Sequence, residues 1–243
     1  MLAAYAKNYR RLWDEHWWWQ ARRRFVLRRL DALAARRPLK RILDVGCGDG
    51  LFFGELARFG EVWGVEPDAG LVDPRGEYAA RIRVAPFEDA GVEGGCDLIL
   101  MLDALEHMQD DGAALRRAFS LLAPGGFLFL TVPALPSLWS VHDEANRHYR
   151  RYTRESLGAA LSGAGLRAEE LGYYFGWPVL PMFARKLLGG GPRAAGDYSV
   201  LPPARAVNGA LYAASVAEQA LTGSRGTPIG SSLFAAARRP EAP

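Results

Sequence analysis

Three groups of residues in this chain have types and spacings that could do chemistry. The first is Asp44-Val45-Gly46-Cys47-Gly48-Asp49-Gly50, a carboxylate followed by glycines at alternate positions. Glycines so placed let the backbone approach a ligand closely, with amides at a helix N-terminus pointing toward it. The dinucleotide fingerprint GxGxxG needs a glycine at position 51, where this chain has Leu51. Asp44 would repel a pyrophosphate and suit an ammonium group. The second is Glu66, at the end of the next apolar run, placed to accept hydrogen bonds from the two hydroxyls of a ribose. A ligand with an ammonium at one end and a ribose at the other fits this pair better than a dinucleotide does. The third group is His107, His142 and His148, with Asp143, Arg150, Arg151 and Tyr152 beside them. Histidine is the side chain best suited to take a proton near neutral pH. His142, its charge influenced by Asp143, is the expected general base, with His107 as the alternative. His142, His148, Arg150, Arg151 and Tyr152 are expected to position an acceptor carrying hydroxyls, carboxylate or phosphate. The competing expectation is that Arg151 and Tyr152 tie the loop to the next helix and that His148 only packs.

The elements that must position these groups follow from patterning. Residues 41–45 read as a buried strand entering the glycine turn, followed by a helix over 51–57. A second strand over 62–66 ends in Glu66, Pro67-Asp68 opens a helical connection, and 81–85 form a third strand. After Asp97 the stretch to Leu102 is continuously apolar, as expected of a buried parallel strand. An amphipathic helix over 111–122 carries Leu115, Ala118, Phe119 and Leu122 on one face. Pro124-Gly125-Gly126 then turns into a fifth strand over 127–132. Thr153 caps a helix over 154–161, and strands six and seven fall at 166–175 and 231–238. Residues 1–37 read as helix ended by Pro38, with Phe25, Val26, Leu30, Leu33 and Ala34 on an apolar stripe. Trp17, Trp18 and Trp19 are expected as packing anchors, with a lid or a membrane-surface helix as alternatives. Residues 176–230 form a long excursion with an aromatic start, a Gly189-Gly190-Gly191-Pro192 turn and a helix around 204–222. Together with the Trp17–Trp19 patch, the aromatic stretch 173–183 could form an apolar mouth.

Asp44 to Gly50, Glu66, Asp97-Leu98-Ile99-Leu100 and Leu121-Leu122-Ala123-Pro124-Gly125-Gly126 together resemble the class I S-adenosylmethionine-dependent methyltransferases, over roughly residues 40–135. The resemblance implies an α/β fold: a seven-stranded, mostly parallel Rossmann-like sheet with helices on both faces. Its last strand runs antiparallel between strands five and six. An N-terminal helical segment over 1–38 would pack on a cofactor-binding domain over 39–243, with the insertion at about 176–230. The cofactor would be S-adenosylmethionine, held by Asp44, Gly46, Cys47, Gly48, Gly50, Glu66, Pro67, Phe87, Glu88, Leu102, Asp103 and His107. In this superfamily an aspartate after the third strand commonly holds the adenine. Pro86 stands at that place here, so Phe87 stacking with Glu88 or Asp89 at the amino group is the expected substitute. Methylases of nucleic-acid amino groups share an Asn/Asp-Pro-Pro-aromatic tetrad after strand four. Asp103-Ala104-Leu105-Glu106 is not that tetrad, and the following Glu106-His107 resembles a small-molecule branch instead. The patterns His16-Trp17-Trp18 with Ala21-Arg22-Arg23, His142-Asp143-Glu144 with His148 to Thr153, and Pro228 to Leu233 look like a bacterial subgroup of uncharacterised methyltransferases. The expected activity is in-line methyl transfer to a small-molecule, glycan-linked or lipid-linked acceptor, with no metal.

Composition sets outer bounds. A chain of 243 residues, 49% hydrophobic and 23% charged, can bury one α/β core with a modest addition. The net charge of +3 is mild, and the basic residues are nearly all arginine, which points to compositional bias rather than a nucleic-acid footprint. Cys47 and Cys96 fall in core contexts, against a disulfide framework and for a reducing compartment. The N-terminus shows no signal peptide, and the longest apolar run, 173–184, is broken by Pro178 and Pro181 and too short to span a bilayer. A cytoplasmic location is expected, with peripheral membrane contact open. Two other functions compete with this one, an rRNA or tRNA methylase and a non-catalytic cofactor-binding module. The missing tetrad counts against the first, and the intact Asp44, glycines and Glu66 against the second.

Overall fold

The structure, a computed structural model, describes residues 3–188 and 202–241. Seven strands form one sheet: β1 Arg41–Val45, β2 Glu61–Glu66, β3 Ile82–Val84, β4 Cys96–Leu102, β5 Leu122–Pro133, β6 Arg167–Tyr174 and β7 Ser232–Arg238. Their order is β3-β2-β1-β4-β5-β7-β6. β7 runs antiparallel to β5 and β6, and the remaining neighbours pair in parallel. The order reverses between β1 and β4, and a crevice opens beyond the carboxyl ends of strands at such a point. Val45 pairs with Met101 there, so Asp44 and Asp103 end up on its two sides.

Period-2 alternation splits the core into two layers. Leu43, Val45, Ile99, Met101, Leu128 and Leu130 face one way, under the helices α4 Asp111–Leu121 and α6 Arg154–Gly163. Ile42, Leu98, Leu100, Phe127, Phe129 and Phe234 face the other. That second face is covered by α2 Trp17–Ala34, through Phe25, Val26, Leu30 and Leu33, and by the short α3 Phe53–Leu56. Asp110 caps α4 and Thr153 caps α6, each accepting an amide of the first turn.

Three expectations about local structure are corrected. The N-terminal segment is two helices, α1 Ala3–Glu15 and α2, broken at His16. His16 leaves the helical region and caps α2 by accepting the Trp18 amide, while the orphaned Trp17 amide is taken by Asn208. The helix after the glycine turn is shorter than expected, because positive φ persists through Gly50 and delays its start. Between β2 and β3 there are two 3₁₀ turns and no full helix.

The insertion supplies α7 Val179–Leu187 and α8 Arg205–Thr222; its glycine-proline turn at 189–192 lies outside the described residues. α8 binds α2 lengthwise: Gln219 Nε2 donates to the Ala21 carbonyl, and the Arg29 guanidinium to that of Gly223. The two aromatic patches meet each other. Trp17 packs edge-on against Phe175 and beside Trp177, and Trp18 stacks on Phe175. The expected mouth built from both patches is therefore replaced by an internal joint between α2 and the end of β6. Among the described residues, no helix is long and apolar enough to cross a membrane.

Candidate active site

At the end of β1 the chain takes positive φ at Gly46, Gly48 and Gly50 (+77°, +55° and +71°), a sequence of conformations that side chains resist. A Cβ on Gly46 would also lie 3.0 Å from that of Ala104. Glu66 is buried at the end of β2, and both oxygens are engaged: Oε2 accepts from the Gly48 amide and Oε1 from that of Asp68, each at 2.9 Å. Glu66 therefore holds the glycine turn in shape before it touches any ligand. Burial raises its pKa, against the two amides that lower it. Asp44 is only 4% exposed, and burial pushes its carboxyl up to about 7 even with the Arg22 charge nearby. A buried carboxyl so placed gains most from a cation.

Arg22 reaches this site from α2. Its Nη2 lies 2.6 Å from Asp103 Oδ2, an ion pair off the hydrogen-bond axis, and 3.4 Å from Thr131 Oγ1. Asp103 itself sits at φ +53°, a left-handed conformation costing a non-glycine residue about 1–3 kcal/mol, which the surrounding packing sustains. Cys47 turns its side chain into the core against Gly64, leaving its backbone to face a ligand. Pro67 and Glu88 are exposed, Leu102 is half-buried and His107 is exposed at the rim. Phe87 is a correction. Its ring is buried in the core with Val65 and Leu115, because the 3₁₀ turn after β3 points its first residue inward, so it offers no stacking face.

The loop after β5 leads into α5 Val141–Ala145, which carries Asp143 fully buried. Arg151 grips Asp143 in a fork, Nε to Oδ1 at 2.8 Å and Nη2 to Oδ2 at 2.9 Å. His148 Nδ1 meets Oδ1 at 3.0 Å, and the Ser140 amide donates to Oδ2. Burial alone would raise the Asp143 pKa; these partners outweigh it and leave it below the usual carboxylate range. Asp143 thus orients His148 and not, as the sequence led one to expect, His142. His142 faces Asn146, and burial lowers its pKa to about 4. Arg151 is spent on Asp143 and the Ala134 carbonyl, and Arg150 on Asp111. Tyr152 is buried, its hydroxyl donating to Asp111. Arg151 and Tyr152 lock the loop and are not displayed to an acceptor, while Arg150 stays partly exposed on Asp111. The physical reason is common to the two locked residues: β5 and the loop pair through Ala134 and Tyr152, which turns them inward.

His107 and His148 stack edge-on with centroids 4.7 Å apart. Beside them is Glu106, fully buried, with neither carboxylate oxygen hydrogen-bonded among the described residues. Burial, then Asp103, raise its pKa well above the ordinary value. One ligand atom each from Glu106, His107 and His148 lie within 4.8 Å of one another, a grouping that no sequence spacing announces.

A buried acid at the end of β1, a second acid bracing the glycine turn, and a switch-point crevice between them define a known geometry. The family described as "Methyltransferase domain" matches residues 18–171, well over half of the chain. The chain belongs to this methyltransferase family. A ubiquinone biosynthesis O-methyltransferase of Xanthomonas campestris pv. campestris is 35% identical over an aligned stretch of 167 residues, in a match that covers 59% of this chain and 70% of that protein. Among solved structures, phosphoethanolamine N-methyltransferase 2 of Haemonchus contortus, in complex with S-adenosyl-L-methionine, aligns with a TM-score of 0.53 at 19% identity. That alignment covers 87% of this chain and 52% of the other. The [4+2]-cyclase SpnF aligns at 0.55 and 21% identity, covering 89% and 82%. Both structures share the fold alone. The protein is an S-adenosylmethionine-dependent methyltransferase with a seven-stranded Rossmann-like sheet.

For this methyltransferase the residue that sequence reasoning missed is Arg22, which entered only as part of the His16 to Arg23 pattern. A signal was present: Arg22 and Arg29 fall on the same helical stripe as Phe25, Val26 and Leu33. Both are buried, and Arg29 pairs with Glu170. A charge on an apolar stripe announces a buried partner.

Proposed function

We propose that this methyltransferase methylates a hydroxyl of a small, lipid-linked acceptor, with His148 taking the hydroxyl proton. The observation that carries the proposal is the Asp143–His148 pair at the mouth of the crevice. The carboxylate accepts from Nδ1–H, which fixes the tautomer and leaves Nε2 as the proton acceptor. A hydroxyl oxygen becomes a good nucleophile only as its proton leaves, so an oriented base suits O-methylation better than methylation of a free amine. The relatives named for O-methylation in ubiquinone biosynthesis support the same choice.

S-adenosylmethionine, when bound, supplies the electrophilic methyl group on a sulfonium. Asp44 and Arg22 are a donor set for an amino acid's ammonium and carboxylate, and Glu66 for a ribose diol. The amides of the glycine turn line the approach between them. Glu106 lies fully buried beside His107 and His148, and its burial favours the neutral form.

The acceptor assignment is tested by S-adenosylhomocysteine release with 3,4-dihydroxybenzoate as the probe, compared with 3,4-dimethoxybenzoate and with phosphoethanolamine. Turnover should require the free hydroxyls; equal turnover on the amine would overturn the O-methylation proposal. Glu66→Ala is expected to weaken S-adenosylmethionine binding by about 1.5–3 kcal/mol, the usual worth of a hydrogen bond to a charged group. Calorimetry on the purified protein reads this directly. Unchanged affinity would confine Glu66 to bracing Gly48 and Asp68.

A further inference from the structure

We infer that α7 is a docking helix that seats this methyltransferase on an anionic lipid surface, an inference that takes its purpose from the lipid-linked acceptor proposed above. Leu180, Ala184, Leu187 and Leu188 recur at the spacing of one helical face. That face is bare: Leu180, Leu187 and Leu188 are 79%, 84% and 85% exposed. Isolated exposed leucines are ordinary, but these are not scattered. Seven of the ten large apolar side chains exposed among the described residues fall within 176–230.

The opposite side of α7 is fastened to the body of the protein. Val179 is buried, and the Gly176 and Trp177 amides just before the helix donate to the Glu218 carboxylate on α8. Lys186 Nζ donates to the carbonyls of Ser137 and Trp139, at 2.7 and 3.0 Å. Those two residues begin the loop that leads into α5 and Asp143. The exposed stripe is thus held rigidly at the edge of the loop that carries the proposed base.

Charge selects the occupant. α7 has Arg185 and Lys186 and no acidic residue. Across 176–230 there are five basic residues and two acidic ones, so this stretch alone carries as much net charge as the whole chain, +3. One of the two acids, Glu218, is occupied by the Gly176 and Trp177 amides. A second copy docking through the same face would bring two helices with basic residues and no acidic ones into one seam, with no opposite charge on α7 to pair them. An anionic bilayer instead accepts the leucines into its interface and pairs its headgroups with the exposed Arg185. A helix of nine residues is about 13 Å long, too short to cross but suited to lying in that interface.

The test is co-sedimentation with vesicles of phosphatidylcholine, with and without about a quarter of phosphatidylglycerol. The wild type is expected to bind the anionic vesicles, and less so as salt rises. The variant Leu180→Ser/Leu187→Ser/Leu188→Ser should bind them at least about 10-fold more weakly. Arg185→Gln should lose roughly fivefold on anionic vesicles and nothing on neutral ones. All three proteins should bind S-adenosylmethionine equally by calorimetry and turn over 3,4-dihydroxybenzoate equally, since the changed side chains face solvent. A wild type that does not sediment with anionic vesicles overturns the docking proposal. So does a wild-type dimer that the triple variant dissociates, in analytical ultracentrifugation without lipid. Vesicle binding without hydroxyl-dependent turnover would instead remove the acceptor assignment and leave docking standing, so the two failures are distinguishable.

Discussion

His148→Ala is expected to lower turnover by about 10²–10⁴-fold, the usual range for a general base, with S-adenosylmethionine affinity unchanged. The expectation rests on a difference between two histidines six residues apart in sequence. His148 is held by Asp143 through Nδ1, whereas His142 faces Asn146. His142→Ala should therefore cost less than about 10²-fold, below the usual range for losing a general base. Burial lowers the His142 pKa to about 4. Its charged form is disfavoured, so His142 is neutral near pH 7 and should contribute no limb to the pH–rate profile above pH 5 or so. Imidazole added to His148→Ala should restore part of the turnover, an outcome that loss of packing alone would not produce. If His148→Ala turned over normally while His107→Ala did not, the base would be His107. Equal turnover in both variants would show that no side-chain base is needed.

How much of this could be seen in the sequence depends on the distance over which each feature is determined. The strands, their order of use and the glycine turn are local: apolar runs end in Asp44 and Glu66, and the alternation of buried positions assigns each residue to a face. The antiparallel insertion of β7 came from the family resemblance, and the sheet order reproduces it. Partner choice was not local. Asp143 is adjacent to His142, and sequence adjacency favoured that pair. On a helix, neighbours in sequence point in different directions, whereas His148 returns to Asp143 after the chain leaves α5 at Arg147, which takes φ +59°. Phe87 looked like a ligand-stacking ring because its turn faces the crevice; which way a 3₁₀ turn points its first residue is decided by the core beneath it. Arg22 could be assigned to the site only once α2 was known to lie across the sheet face that ends in Asp103 and Thr131.

Asp143→Ala is expected to destabilise the fold by about 3–5 kcal/mol, the cost of removing one partner from a buried ion pair. Arg151 is nearly as buried as its partner, with side-chain exposure of 6% against 0%. Without the carboxylate its guanidinium would keep only the Ala134 carbonyl, and the Ser140 amide would lose its acceptor. Replacing both partners, as Asp143→Leu/Arg151→Met, should cost less than Asp143→Ala alone, because no uncompensated charge is left behind. The pH dependence has a definite sign. Asp143 is held below its ordinary value of 3.8, so its contribution is complete above that pH and is lost as pH falls through the lower, folded-state value. Urea denaturation should therefore show the full gap between wild type and Asp143→Ala at pH 7, and a gap that narrows as the pH is taken below about 4. A gap that stayed constant down to pH 2 or so would mean that Asp143 contributes by shape and hydrogen bonding rather than by charge. Because Asp143 also orients His148, the variant should lose turnover beyond what its unfolded fraction explains, measured where it is still fully folded. Retained turnover there would detach His148 from Asp143 and leave the carboxylate a structural role only.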